Sequence, residues 1–395
     1  MSGPLESIRV IDFTENMAGP FGTMILGDQG ADVIKVESLT GDAIRNSGSG
    51  SSKMGSYFAN LNRSKRSLAI NLRTTEGRAL LNTLFDSADV VVQSFRPAAA
   101  QRLGLDSKSV TPGRPTLIHA SIVGFGATGP LAGRPVYDHV IQAASGMADL
   151  QRESIDDVPH LVRHGLVDKS TGYVLAQSIC AALVERNRSG FGTALEISML
   201  DVAVSLMWPD GMMDRTALEP ELRLPAAAMT FRLTPTSDGH VALVVLTPVQ
   251  WSGLVNACGI DEVTDGKHGS ATSTMEPGEV LRAARAIIAK LPSSEVVRRL
   301  SENDVPCSAV VSLDDVVSQP QILENGTLIE YLHPLIGPIR QPRAIPQFPS
   351  MKDADIQPAP GLGDNSREIL SELGIDDATI DGLISSGVVG TPFSI

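Results

Sequence analysis

Ser7-Ile8-Arg9-Val10-Ile11-Asp12-Phe13, a break at Gly19-Pro20, then Asp32-Val33-Ile34-Lys35-Val36: this opening run decides the fold class. Each end is a short apolar stretch rich in β-branched residues, which reads as a buried strand. Between them Phe21 to Gly30 reads as a short helix closed by Gly30. Two strands joined through a helix pair in parallel, and a parallel sheet is covered by helices on both faces. The strand-to-helix turn, Thr14-Glu15-Asn16-Met17-Ala18-Gly19-Pro20, lacks GxGxxG. The dinucleotide fingerprint is therefore absent from the place where it belongs.

The alternation continues outward from this unit. Strands are predicted at 68–73, 90–93, 116–123 and 192–198, with helices at 75–89, 133–146 and 199–213. The fold class expected is α/β, a large domain with a Rossmann-like parallel sheet. Gly124-Phe125-Gly126-Ala127-Thr128-Gly129 does match GxGxxG after a strand. Pro130 and Gly133 stand where the helix should begin, so it reads as a turn that lets backbone approach a ligand. Ser47 to Ser56 is a Gly/Ser stretch, either a linker or a loop beside a site. Leu222 to Ala228 reads as a linker, and Phe231 to Val249 alternates like a hairpin around Asp238-Gly239. Helices at 248–257, 279–291 and 293–303 complete a small α+β domain. The domain boundaries expected are 1–225, 226–330 and 331–395. The last segment reads as Pro-rich and strand-poor from Leu332, ending in helices at 366–373 and 376–385.

Composition bounds the function. The 395 residues carry a formal net charge of −13, which argues against a nucleic-acid or anionic-membrane partner. Local basic residues do recur at Arg63, Lys65, Arg66, Arg73, Arg96 and Arg102. As a set they suit phosphates, since Arg offers a two-pronged donor fork. The three cysteines, Cys180, Cys258 and Cys307, are far apart and read as reduced thiols. No secretion signal and no membrane-length apolar run is visible, so a cytoplasmic location is expected. His160 and His164 are four apart, but Pro159 precedes them and no third ligand is evident, so no metal site is expected.

Gly165-Leu166-Val167-Asp168-Lys169-Ser170-Thr171-Gly172-Tyr173 leads into an apolar run from Val174 to Val184 that reads as a buried helix. Asp168 is the last acid before that run. It reads either as the helix N-cap or as a nucleophile. An Asp at a helix start is held ionised by amide donors and the helix dipole. In a dry pocket a free oxygen of that carboxylate can attack an acyl carbon.

Several stretches in order carry a resemblance. They include Ile8 to Thr14 with Ala18-Gly19-Pro20, Gly30 to Glu37 with Gly41-Asp42 and Arg45, and Asn62-Arg63-Ser64-Lys65-Arg66-Ser67. Phe95-Arg96-Pro97, Arg102 to Leu105, Gly124-Phe125-Gly126, Gly129-Pro130, Tyr137-Asp138, Val305-Pro306-Cys307 and Gly361 to Asn365 follow. Together they resemble the class III CoA-transferases, the formyl-CoA transferase and carnitine CoA-transferase type. The resemblance implies a homodimer of interlocked, ring-like chains. It implies transfer of coenzyme A from an acyl-CoA to a carboxylic acid, with no prosthetic group. Asp168 would be the catalytic residue, passing through an aspartyl anhydride and an aspartyl–CoA thioester. CoA-binding positions would be Met17, Ala18, Ile70, Arg73, Ser94, Phe95, Arg96, Arg102, Leu103 and Tyr137. Among these Arg73 and Arg102 would hold phosphates, and Ile70 and Leu103 would pack beside the adenine.

Glu15 and Met17 depart from the formyl-CoA transferase pattern and the Gly-rich loop of its smaller domain has no counterpart, two differences that argue against oxalate as acceptor; Asn365 also stands where His is common. The related α-methylacyl-CoA racemase needs a base on each face of the α-carbon, one a His. Tyr137 stands where that His belongs, and a phenol is a poor base. His139 lies two residues on, about 200° away around a helix. A non-catalytic acyl-CoA-binding protein on the same scaffold is the other alternative, because fold does not fix function.

Overall fold

The structure is a computed structural model that describes residues 3–51, 54–152, 156–223, 231–260, 277–351 and 357–392. It divides into two compact units, Met1–Arg223 with Leu328–Ile395, and Leu224–Thr327. The first unit opens with β1 (Arg9–Phe13), α1 (Ala18–Asp28), β2 (Asp32–Glu37), α2 (Ser56–Asn62) and β3 (Lys65–Ile70). It continues with α3 (Thr75–Asp86), β4 (Val90–Gln93), α4 (Pro97–Leu103), α5 (Ser107–Val110) and β5 (Ile118–Val123). Next come α6 (Asp138–Ala144), α7 (Met147–Leu150), α8 (Leu166–Ser189), β6 (Ala194–Ser198) and α9 (Met199–Gly211). The second unit holds β7 (Thr234–Pro235), β8 (His240–Leu243), α10 (Pro248–Cys258), α11 (Pro277–Ile288), α12 (Ser293–Glu302), β9 (Cys307–Ala309) and α13 (Pro320–Glu324). The chain then adds β10 (Leu328–His333), β11 (Gly337–Pro342), α14 (Ser366–Glu372), α15 (Asp377–Ser385) and β12 (Val389–Gly390) to the first unit.

The main sheet has seven strands in the order β12-β3-β2-β1-β4-β5-β6. All neighbours run parallel except β12, which is antiparallel to β3. Side chains alternate across it, so Val10, Val33 and Val92 enter one core while Ile11, Ile34 and Val91 enter the other. The first core is covered by α1, α8 and α9, the second by α3, α14 and α15. Burial on both faces is why these strands read as continuous apolar runs. The second unit has its own three-stranded antiparallel sheet, β7-β8-β9, and its own core around Val241, Leu254, Ala284 and Leu300.

Three expectations change. The helix after Gly165 begins at Leu166 and runs to Ser189, longer than the apolar run from Val174. Its polar start is held by tertiary packing on α1. A Cβ at Gly172 would lie 2.8 Å from the Ala18 carbonyl oxygen, and one at Gly22 would lie 2.7 Å from that of Gly172. Only glycines let the two backbones approach this closely. The helix expected from Gly133 begins at Asp138, because Pro135 restricts the residue before it. The tail is not strand-poor, since β10 and β11 form an antiparallel hairpin with Ile329 opposite Gln341. Pro338 and Pro342 are tolerated there because the ribbon is all edge. Of the linker expected at 222–228, residues 224–228 lie outside the described residues.

A neutral set of six charged side chains lies under the sheet's switch region: Asp12, Glu37 and Asp42 with Lys35, Arg45 and Lys65. Lys65 Nζ donates to Asp12 Oδ2 (3.0 Å), the Pro20 carbonyl (2.9 Å), Thr23 Oγ1 (2.8 Å) and Asn62 Oδ1 (3.0 Å). Burial alone would push the Asp12 carboxyl up, but Lys65 and Lys35 with the hydrogen bonds from Thr14 and Thr23 together outweigh it and hold the group down at about 2. Removing one member strands its partner. Lys65→Met is expected to cost about 3–5 kcal/mol of unfolding free energy. Urea denaturation checks this, and a change under 1 kcal/mol would mean the pair is energetically idle.

Candidate active site

Strand order reverses beside β1, with β2 on one side and β4 on the other. In open parallel sheets ligands bind outside the carboxyl ends of the strands at such a switch point. A cleft of about 810 Å³ opens there. The turn after β1 supplies Glu15 to Gly19, and the β4–α4 segment supplies Ser94 to Ala99 with Arg102. The end of β5, the loop before α6, and Asp168 from α8 close the remaining sides.

The β1 turn is held from below. Asp12 Oδ1 accepts the Thr14 N–H at 2.9 Å and the Thr14 hydroxyl at 2.5 Å. Lys35 Nζ donates to the Thr14 carbonyl at 2.8 Å and to Asp42 Oδ2 at 3.2 Å. Asp42 in turn accepts the Asn16 N–H at 3.2 Å. Asn16 has φ +66°, a left-handed conformation that Asn tolerates better than most side chains. These bonds fix where Met17 points. Its thioether packs on Gly165, where a Cβ would lie 2.6 Å from the sulfur.

Asp168 is the third residue of α8, and Gly165 is the N-cap, so the capping role considered for Asp168 does not hold. The Asp168 N–H is itself capped from outside, by Asp138 Oδ2 at 3.0 Å. Among the described residues nothing donates a hydrogen bond to the Asp168 carboxylate. Burial, reinforced by the Asp138 charge, pushes its carboxyl up from 3.8 to about 6, although His139 and Lys169 pull the other way. A first-turn acid gains about 0.3–1 kcal/mol from the helix dipole. The net shift corresponds to about 3 kcal/mol against ionisation, so desolvation wins. At neutral pH the group is still a carboxylate, poorly solvated and free to react.

Of the residues singled out from sequence, the cleft gathers Met17, Ala18, Ser94, Phe95, Arg96, Arg102, Tyr137 and Asp168. It does not gather Ile70, Arg73 or Leu103. Ile70 is 1% exposed in the second core, paired with Val389, so its side chain is committed to packing. Leu103 packs on the same core. Arg73 is exposed on the turn between β3 and α3. Arg134, Val136 and Met199 line the cleft and were missed. The signal for Arg134 was Pro135 after Gly133, which keeps 124–137 as loop and turns it toward the cleft. No histidine lines the cleft among the described residues, and His139 is exposed on α6. No group of metal-ligating side chains was found among the described residues, and no described helix is long and apolar enough to cross a membrane.

A profile of CoA-transferase family III matches residues 5–366. The chain is 31% identical over 388 residues to the succinate–glutarate CoA-transferase of Agrobacterium fabrum, covering 94% of this chain and 96% of that one. It is also 31% identical over 388 residues to the probable fatty acyl-CoA transferase Rv3272 of Mycobacterium tuberculosis, covering 93% and 98%. A crystal structure of a variant of Rv3272 superposes with TM-score 0.80 at 30% identity, covering 94% of this chain and 99% of that one. The chain belongs to CoA-transferase family III.

The raised Asp168 carboxyl has a stability signature. The native state disfavours the ion, so the penalty is absent below the unfolded value of 3.8 and complete once pH exceeds about 6. Asp168→Asn removes it. The variant is expected to match wild type in acid and to be up to about 3 kcal/mol more stable at neutral pH. Paired urea titrations at the two pH values check the sign; a less stable variant at neutral pH refutes the assignment.

Proposed function

We propose that this chain transfers coenzyme A from an acyl-CoA thioester to a carboxylic acid, with Asp168 as covalent nucleophile. The observation that carries the reading is the Asp168 carboxylate. It is ionised at neutral pH, takes no hydrogen bond from the described residues, and lines a cleft that also holds Arg96, Arg102 and Arg134. Guanidinium forks suit the phosphates of CoA. The A. fabrum relative, named for succinate and glutarate, supports carboxylic acids as the exchanging partners.

The steps balance without ATP or an external proton. A carboxylate oxygen of Asp168 attacks the thioester carbon, the C–S bond breaks, and CoA leaves as the thiolate. The product is a mixed anhydride, which keeps the acyl group activated. The thiolate then attacks the aspartyl carbonyl carbon, and the donor acid leaves as its carboxylate. Asp168 now carries CoA as a thioester. An acceptor carboxylate attacks that carbon and the same two steps run in reverse, regenerating Asp168. Met17, Val136 and Met199 contribute apolar surface to the same cleft.

Incubation with succinyl-CoA, butyryl-CoA and palmitoyl-CoA, quenched with hydroxylamine, tests the chemistry. The expected product is a hydroxamate at Asp168, read by peptide mass spectrometry and absent from Asp168→Asn. Wild type that turns over a donor without this mark would refute the covalent route.

We further infer a cytoplasmic homodimer whose two chains interlock. The first unit supports this with exposed large apolar side chains at Tyr137, Val184, Phe191, Leu206 and Trp208. A partner chain that covered these side chains would take their apolar surface out of water. Interlocked chains separate only by unfolding. Dilution to nanomolar concentration should therefore leave a dimer by light scattering or native mass spectrometry, and a folded, active monomer would exclude interlocking.

A further inference from the structure

Gln142 lies in α6 with no exposed surface. Both ends of its amide are used. Nε2 donates to Asp138 Oδ1, with the Val162 and His164 carbonyls also in reach at 3.3 and 3.4 Å. Oε1 accepts the Val162 N–H at 2.8 Å. Asp138 is 3% exposed, and its other oxygen takes the Asp168 N–H. A continuous chain of bonds thus runs from the segment that enters α8, through Gln142 and Asp138, to the Asp168 backbone. None of the cleft arginines takes part.

We propose that Gln142 is a positioning residue for Asp168: it holds the Asp138 carboxylate so that one oxygen caps the Asp168 amide and its charge faces the first turn of α8. The proposal rests on Asp168 being the nucleophile. Two effects follow from the arrangement. The bonds fix where the carboxylate stands, and small misplacements of a reacting group are costly. The Asp138 charge also keeps the neighbouring carboxylate less stable and more reactive. The groups facing Asp168 are Asp138 and His139 from α6, Lys169 from its own helix and Tyr57 from α2. Of these Asp138 raises the Asp168 carboxyl, while His139 and Lys169 oppose it.

The residue type is explained by donor count. At position 142 an ionised Glu would place acceptors only against the Asp138 carboxylate and two backbone carbonyls. A protonated Glu supplies one donor for Asp138 and one acceptor for the Val162 N–H, which restores the brace. Gln142→Glu should therefore be active only between the pH at which Asp168 ionises and the pH at which the new carboxyl does, an alkaline loss that wild type lacks.

Steady-state kinetics across pH would be run on wild type, Gln142→Met, Gln142→Glu and Asp138→Asn, using the donor of the three-member panel that labels wild type. Folding of each is checked by circular dichroism and thermal melting. Gln142→Met is expected to lose about 10- to 100-fold in kcat while KM for the donor stays within about twofold. Asp138→Asn is expected to move the acid limb to lower pH. If Gln142→Met does not fold, the Gln142→Glu pH profile and the Asp138→Asn limb decide. A folded Gln142→Met with the wild-type rate, or a Gln142→Glu with the wild-type pH profile, overturns the positioning role alone. Absence of any wild-type adduct at Asp168 overturns the nucleophile reading and this one with it.

Discussion

Six buried charges that sum to zero fix the floor of this protein's cleft. Lys35 and Lys65 have fully buried side chains, and an isolated ammonium there would cost several kcal/mol. Each is satisfied by a carboxylate and by backbone or side-chain oxygens of the β1 turn and α1. Arg45 extends the set, with Glu37 holding its guanidinium over the Phe58 ring at 3.9 Å. Such a network is weak evidence for net stability, because apolar residues of equal volume could replace it. What it supplies is geometry. The Thr14–Pro20 segment cannot shift without stranding a charge, so Met17 and Ala18 stay against the start of α8.

Against that floor the α1–α8 crossing works as a second constraint. Glycines at 22 and 172 bring the two backbones within contact, which sets the height of the α8 N-terminus over the turn. Asp168 occupies the first turn and pays for its position in solvation. The helix dipole returns part of that cost, and the Asp138 carboxylate adds to it. A carboxyl near 6 is a compromise between ionisation at neutral pH and weak stabilisation of the ion. Such perturbed groups concentrate where chemistry is done.

The alternation of apolar strands and helices was legible because both cores are built from local patterns. Val10 and Ile11 face opposite ways by the geometry of a strand, whatever the rest of the chain does. Met17, Ser94, Arg96 and Asp168 could be picked out from their places in short motifs. Ile70, Arg73 and Leu103, expected with them from the same resemblance, lie outside the cleft lining for a related reason. A motif says which residues lie near one another in sequence, and pleat alternation then sends Ile70 into the core.

The sequence by itself therefore determined the α/β class, the alternation of elements, the absence of a dinucleotide fingerprint after β1, and the place of Asp168 at the start of a helix. Tertiary structure alone decided that Gly165 and not Asp168 caps α8, that Arg134 reaches the cleft, and that Gln142 joins Asp138 to the helix start. The division has one physical cause. Strand and helix patterning is a matter of neighbours along the chain, whereas ionisation and capping depend on distance and solvent exclusion. Asp138 and Asp168 are 30 residues apart, and Asp12 and Lys65 are 53 apart. Only packing brings each pair within 3.0 Å and removes the water between them.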